Sequence, residues 1–141
     1  MIYKELVYRF TGKALPRHIF TTKMIEEVIR FLGPTSSFVD NGFLMFLLEI
    51  VRNIYDHADG LGYLFLRQDG GDVFFEVKDS GTECFDLSEV KKRGSTKYGN
   101  GTNFGMGLCG GMIEDVAETL GINLTIDTSR GFRYTGNYRM R

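Results

Sequence analysis

Hydrophobic and polar positions alternate, cluster and break along this chain in a way that divides it into eight main elements and one short helix. Ile2–Phe10 alternates with period two, with Ile2, Lys4, Leu6, Tyr8 and Phe10 on one face and Tyr3, Glu5, Val7 and Arg9 on the other, as a strand does. Thr11-Gly12 and Pro16 break it. From about His18 to Leu32 the apolar positions Ile19, Met24, Ile25, Val28, Ile29 and Leu32 recur at helical spacing, and Gly33-Pro34 stops the run. Ser36–Asp40 leads into Phe43–Ala58, FLMFLLEIVRNIYDHA, a helix apolar on most of its surface. Two alternating runs, Leu61–Arg67 and Val73–Lys78, flank an acidic, glycine-containing turn and predict a hairpin. A short helix is expected within Phe85–Lys92. A helix opening at Gly105-Met106-Gly107 and running to Leu120 follows, apolar at Leu108, Met112, Ile113, Val116, Ala117 and Leu120, with Gly121 as its cap. Ile122–Asp127 and Phe132–Tyr138 make a last hairpin. The order β-α-α-β-β-loop-α-β-β, without a repeat or linker, predicts one α+β domain over 1–141, a two-layer sandwich with three helices on one face of a mixed sheet.

The Phe43–Ala58 helix carries the first chemical clue. At 3.6 residues per turn, Glu49, Asn53, Asp56 and His57 fall within roughly a quarter of its circumference. A helix apolar elsewhere is buried, and an unpartnered buried polar group costs about 1–3 kcal/mol. The stripe therefore cross-links a core or faces a ligand. Asp79-Ser80-Gly81 closes the second strand of the first hairpin. Arg93–Phe104, RGSTKYGNGTNF, is rich in Gly, Ser, Thr and Asn, reads as a surface loop, and runs into the glycines that open the next helix.

Composition narrows the reading. The chain has 141 residues, 43% hydrophobic and 13% aromatic, enough for a sizeable core. Its net charge of −1, with signs mixed along the sequence, gives no reason to expect nucleic-acid binding. No apolar run approaches the ~20 residues of a membrane span, and MIYKELVYRF lacks the apolar stretch of a signal peptide. Cys84 and Cys109 have neither CxxC nor Cys/His spacing, so zinc is not expected and a reducing cytoplasm is. Neither G-x-x-x-x-G-K-[ST] nor G-x-S-x-G occurs.

The three polar features each have a use in nucleotide binding. A glycine-led helix N-terminus presents free amides and a positive dipole end to phosphates. An asparagine oxygen is a hard ligand suited to Mg²⁺. A buried aspartate at a strand end accepts a hydrogen bond from an exocyclic amine, and a carboxylate one turn before the Mg²⁺ ligand orients an attacking hydroxyl. Each also has a plain structural reading, as a core cross-link, a turn and a loop.

Their order resembles the Bergerat-fold ATP-binding superfamily, which includes gyrase, the mismatch-repair ATPases, histidine kinases and anti-sigma-factor serine kinases. EIVRNIYDHA looks like its N box, VKDSG like its G1 box and FGMGL like its G2 box. The loop between the last two, about 84–104, would be an ATP lid between the second and third sheet-covering helices. At this size, and with Glu49 where many histidine kinases carry Asn, the chain is most similar to the stand-alone anti-sigma serine kinases. The resemblance implies ATP and Mg²⁺ as cofactors, Asn53 as the Mg²⁺ ligand and Glu49 as the general base. Asp79 would meet the adenine amino group, with Gly81 allowing close approach of the base. Gly105, Gly107 and Leu108 would bind the nucleotide, the glycines beneath its phosphates, and Lys97 would reach the γ-phosphate. It implies a regulatory protein partner, a sigma factor or anti-anti-sigma-like protein, and leaves room for a homodimer. A module that only binds protein, or a histidine-kinase catalytic domain acting in trans, are the alternatives. Three positions depart from the pattern: Glu83 stands at the second G1 glycine, Asn103 replaces an earlier G2 glycine, and Phe132 follows Gly131 where Thr is usual.

Overall fold

A computed structural model describes residues 3–12, 15–34, 37–57, 61–84 and 110–141. The described residues form five strands and three helices: β1 (Lys4–Thr11), α1 (Arg17–Leu32), α2 (Phe38–His57), β2 (Leu61–Asp69), β3 (Asp72–Asp79), α3 (Gly110–Leu120), β4 (Asn123–Asp127) and β5 (Arg133–Arg139). The class is α+β, as the pattern predicts. The short helix expected at Phe85–Lys92, the lid from residue 85 on, and residues 105–109 at the start of the last expected helix lie outside the described residues.

The sheet is a correction. It has the order β1-β2-β3-β5-β4, and every pair in it is antiparallel rather than mixed. Two helices separate β1 from β2, an even number, so the chain returns to the end of the sheet it left. Thr11 accordingly pairs with Leu61. β3 and β4 run parallel in direction, because β5 fills the slot between them and is antiparallel to both. A crossover connection is thus present without a parallel ladder.

α2 is the hub, and it begins five residues before the apolar run suggests. The Ser37 hydroxyl accepts the Asp40 backbone N–H at 3.3 Å, an N-cap that starts the helix at Phe38. Phe43, Phe46, Leu47, Ile50, Val51 and Ile54 are fully or almost fully buried against the sheet and its neighbours. α1 adds Phe20, Met24 and Val28 at successive turns, while Ile29, expected on the apolar side, is exposed. Phe20 stacks on Tyr55 at 4.0 Å and meets Phe10 edge-on at 5.1 Å. In β5, Gly136 leaves room for the Phe75 ring, because a Cβ there would lie 2.6 Å from that ring and from the Asn123 carbonyl.

α2 is tied to β5 at its start and to the segment that follows β1 near its end. At its start, the buried Asp40 carboxylate accepts the Tyr138 hydroxyl at 2.7 Å and the Arg141 amide at 3.0 and 3.1 Å. Burial first, then this hydrogen bond and the Asp40 charge, push the Tyr138 phenol up to about 12. Near its other end, the Tyr55 hydroxyl donates to the Leu15 carbonyl at 3.0 Å. The opposite face of the sheet carries Tyr63, Phe65 and Phe74, with Glu76 accepting from Tyr63 at 2.8 Å and pairing with Arg133 at 3.1 Å. No helix among the described residues is long and apolar enough to cross a membrane.

Candidate functional site

The register places the end of β1, the start of β2 and the end of β3 at one end of the sheet. Phe10 pairs with Gly62 and Gly62 with Asp79, so the last turns of α2, anchored by Tyr55 beside β1, lie toward the end where β3 closes. Glu49 and Asn53 belong to that half of the helix, which rises about 1.5 Å per residue.

Asp79 is the best-defined member. It is buried, at 3% exposure, and its carboxylate is held on several sides. Its Oδ1 accepts the Gly81 amide at 3.0 Å and the Lys78 ammonium at 3.1 Å. Its own backbone N–H donates to the Phe132 carbonyl at 3.1 Å, which fastens the end of β3 to the start of β5. Gly131 closes the back of this turn. It has a φ of +74°, and a Cβ on it would stand 2.1 Å from Asp79 Oδ1 and 2.6 Å from the Gly81 carbonyl oxygen. Only a residue without a side chain allows the two segments to approach this closely.

Glu83, the departure from the glycine pattern, is exposed, and its backbone carbonyl accepts the Gly131 amide at 2.7 Å. The backbone contact that ties this turn to residue 131 therefore needs no glycine at position 83. Thr128 is a buried hydroxyl on the same sheet end. Asp127 beside it has a carboxyl held below its ordinary range, first by the Ser129 backbone N–H.

Glu49 is buried, at 1% exposure, and pairs with Arg52 Nη1 at 3.3 Å. The polar stripe is therefore in part an internal ion pair. Removing the guanidinium would leave a buried carboxylate to find compensation elsewhere, which is strongly destabilising in such pairs. Asn53 is half-buried, one turn beyond Glu49. Asp56 and His57 end the helix, with side chains outside the described set. Asp79 and Gly81 share one turn, joined by the Gly81 amide to Asp79 Oδ1, while Glu49 and Asn53 lie one turn apart on α2. Lys97, Gly105, Gly107 and Leu108 lie outside the described residues.

Sequence reasoning missed Lys78, Thr128 and the part Gly131 plays. Lys78 reads as the outward member of a strand, and Thr128 as a loop hydroxyl. Glycine at 131, before a strand and after Ser-Arg, was the one available sign of a tight approach.

Compared with models of known protein families and with curated proteins, the chain matches none.

Proposed function

We propose that this chain is a Bergerat-type ATP- and Mg²⁺-binding domain that acts as a cytoplasmic regulatory switch, phosphorylating a serine on a partner protein in the anti-sigma manner. The observation that carries the reading is Asp79: a buried carboxylate at a strand end, backed by a glycine. Such a group presents hydrogen-bond acceptors in a dry setting, where an exocyclic amine is the fitting donor. Glu49 and Asn53 precede Asp79 in the chain, on α2, in the order the resemblance requires.

The donor set suits a metal that arrives with its nucleotide rather than a resident ion. Among the described residues no group of three or more His, Cys, Asp or Glu is arranged to hold a metal. Asn53 would supply one amide oxygen to Mg²⁺, whose other ligands would be phosphate oxygens and water. Bound there, Mg²⁺ supplies charge neutralisation across the phosphates. Glu49 would hold the acceptor hydroxyl and take its proton. Asp79 would orient the base, and Lys97 and the glycines of FGMGL would take the phosphate end.

A second reading is favoured by one contact. The Glu49–Arg52 pair engages the residue meant to act as base with a cation from its own helix. A domain that binds nucleotide and partner without turnover fits that pair.

Calorimetric titration with ATP, with and without Mg²⁺, tests binding. Heat of binding that disappears in Asp79→Asn is expected, and no heat at millimolar ATP refutes the reading. Glu49→Ala should bind ATP as the parent does. If a trapped partner becomes phosphorylated by the parent and not by this variant, the kinase reading holds; if neither transfers, the module without turnover is the better description. Phosphate on the partner that survives acid identifies serine rather than histidine as acceptor.

A further inference from the structure

Alternation in β3 turns Val73, Phe75 and Val77 inward, where they are buried, and sends Phe74, Glu76 and Lys78 to the other side of the sheet. The helices lie on the inward side, α2 with Phe43 and Phe46 against Phe75 and α1 with Phe20 against Phe10. The outward side is nevertheless far from polar. Phe65 and Phe74 meet edge to face there at 6.1 Å, and Val7, 52% exposed, is the register partner of Phe65. Arg67 lies 5.9 Å from the Tyr3 ring and 5.4 Å from the Phe74 ring. Lys78, the one lysine that the described strands place on this side, turns its ammonium back to the Asp79 and Gly81 carbonyls. Aromatic rings and arginines, with no solvated lysine among them, make up the cores of protein interfaces rather than open surface.

The charges on this face divide by end. Across the sheet, the register sets Arg9, Tyr63, Lys78 and Arg133 in one row at the end where β3 closes, with Asp127 finishing it on the edge strand β4. Arg133 is paired with Glu76 and Lys78 with Asp79, so Arg9 supplies the net charge on the β1–β2 side of that row. At the opposite end Asp69 and Asp72 flank the β2–β3 turn. Asp72 is paired with Arg139 at 2.9 Å, so Asp69 supplies the net charge there. Phe65 and Phe74 stand between the two ends.

A two-fold axis running across the strands would stack this face on that of a second copy with the strand directions reversed. Each basic end then meets the other copy's acidic end, Arg9 comes to Asp69 twice, and the rings stack between them. An isologous contact demands a patch complementary to itself, and the reversal of charge along the strands supplies one. A partner of a single charge would be repelled at one end. A face of five strands about 4.8 Å apart and about 20 Å long measures about 500 Å², so stacking two removes about 1,000 Å² from water, where specific interfaces begin.

We propose that two copies of this chain associate through this face, as a sandwich of two sheets with the helical layers outside. The inference does not rest on the nucleotide reading, in which neither Arg9 nor Asp69 takes part.

Sedimentation equilibrium of the full chain without nucleotide, over about 1–100 μM, reads the association. The parent should reach twice the chain mass at the upper end of that range. Arg9→Glu reverses the basic end, and Asp69→Lys reverses the acidic end. The axis applies each change twice, so each variant should raise the dissociation constant by about tenfold or more. Mixed in equal amounts, the two are complementary again at both ends, and a heterodimer should form. Circular dichroism and a melt check the fold of each. Should either not fold, Val7→Lys in the middle of the face takes their place and should weaken the dimer likewise. Phe38→Ser, at a 90% exposed position on α2, should leave the dimer intact. A parent that stays monomeric at about 100 μM would mean that another protein, or none, covers the face, and overturns the proposal. A dimer unaffected by Arg9→Glu, by Asp69→Lys or by Val7→Lys overturns it, as does a dimer lost in Phe38→Ser. So does an equimolar mixture of the two charge variants that stays monomeric.

Discussion

Replacing Gly131 by alanine should be far more damaging than replacing Gly70, although both have a positive φ. Gly70 has a φ of +61° in the tight turn between β2 and β3, and a Cβ there would meet nothing within 4 Å. Gly131 has a φ of +74°, and its Cβ would meet Asp79 Oδ1 at 2.1 Å and the Gly81 carbonyl oxygen at 2.6 Å. The left-handed penalty, about 1–2 kcal/mol, is common to both. It is offset in both by about 0.4–1 kcal/mol, because alanine has fewer unfolded conformations than glycine. Gly70→Ala should therefore lose about 1 kcal/mol.

Gly131→Ala must also push the carboxylate or the Gly81 turn aside. That would break a hydrogen bond at a buried polar group, a further loss of about 1–3 kcal/mol. A total near 3 kcal/mol leaves a domain of ordinary stability folded. The assay is urea denaturation of the two variants beside the parent. With a slope of about 2 kcal/mol per molar, their midpoints should differ by about 1 M. Midpoints that coincide would mean that the approach of residue 131 to Asp79 is not tight, and the description of the site would fall with it.

Asp40→Asn should lose about 2 kcal/mol in urea melts, since the carboxylate accepts both the Tyr138 hydroxyl and the Arg141 amide. Tyr138 gives a pH signature: its folded value of about 12 lies above its ordinary 10.0, so the fold favours the neutral phenol. That contribution is fully present below pH 10 and is lost as pH rises through about 12, a decline of about 2 kcal/mol that Tyr138→Phe should lack in urea melts across this range. For Glu49 and Arg52, the double variant Glu49→Gln/Arg52→Gln should be less destabilised than the sum of the two singles by about 1 kcal/mol, measured as a double-mutant cycle.

The parts of this molecule that were legible in its sequence are those that a local period encodes. The apolar run around Phe43–Tyr55 specified a buried helix, because nearly every direction it faces is covered, and the alternation in β2 and β3 specified a hairpin. The polar pair Glu49 and Asn53 stood out against such a background. Strand pairing was not legible in the same way. Whether β3 and β4 touch depends on whether β5 slips between them, and no short window contains that information. The start of α2 was hidden because Ser37 acts through its hydroxyl and not through hydrophobic spacing. Ile29 suits a helical stripe, yet the packed ridge runs through Phe20, Met24 and Val28 instead. Lys78 escaped notice because a lysine at a strand end is normally solvated, and only its position beside Asp79 and Gly81 in space gives it a different role.

The order of strands in the sheet is not the order in which a growing polypeptide delivers them. β1, β2 and β3 can pair as they are made, together with the two helices between the first two. β4 is made next but has no neighbour except β5, and β3 keeps an open edge until β5 arrives. That edge ends at Asp79, whose amide waits for the Phe132 carbonyl, and whose carboxylate waits for Gly131 at its back. Pairs as distant as Asp72 and Arg139 must close before the ladder is complete, and such long-range closure is slow. The candidate site is thus among the last regions to assemble during synthesis. Until then the nascent domain exposes an unsatisfied edge that invites non-native strand pairing. A ligand that engages Asp79 would favour the finished sheet over its three-stranded precursor, making occupancy of the site a checkpoint on folding as well as a readout of it.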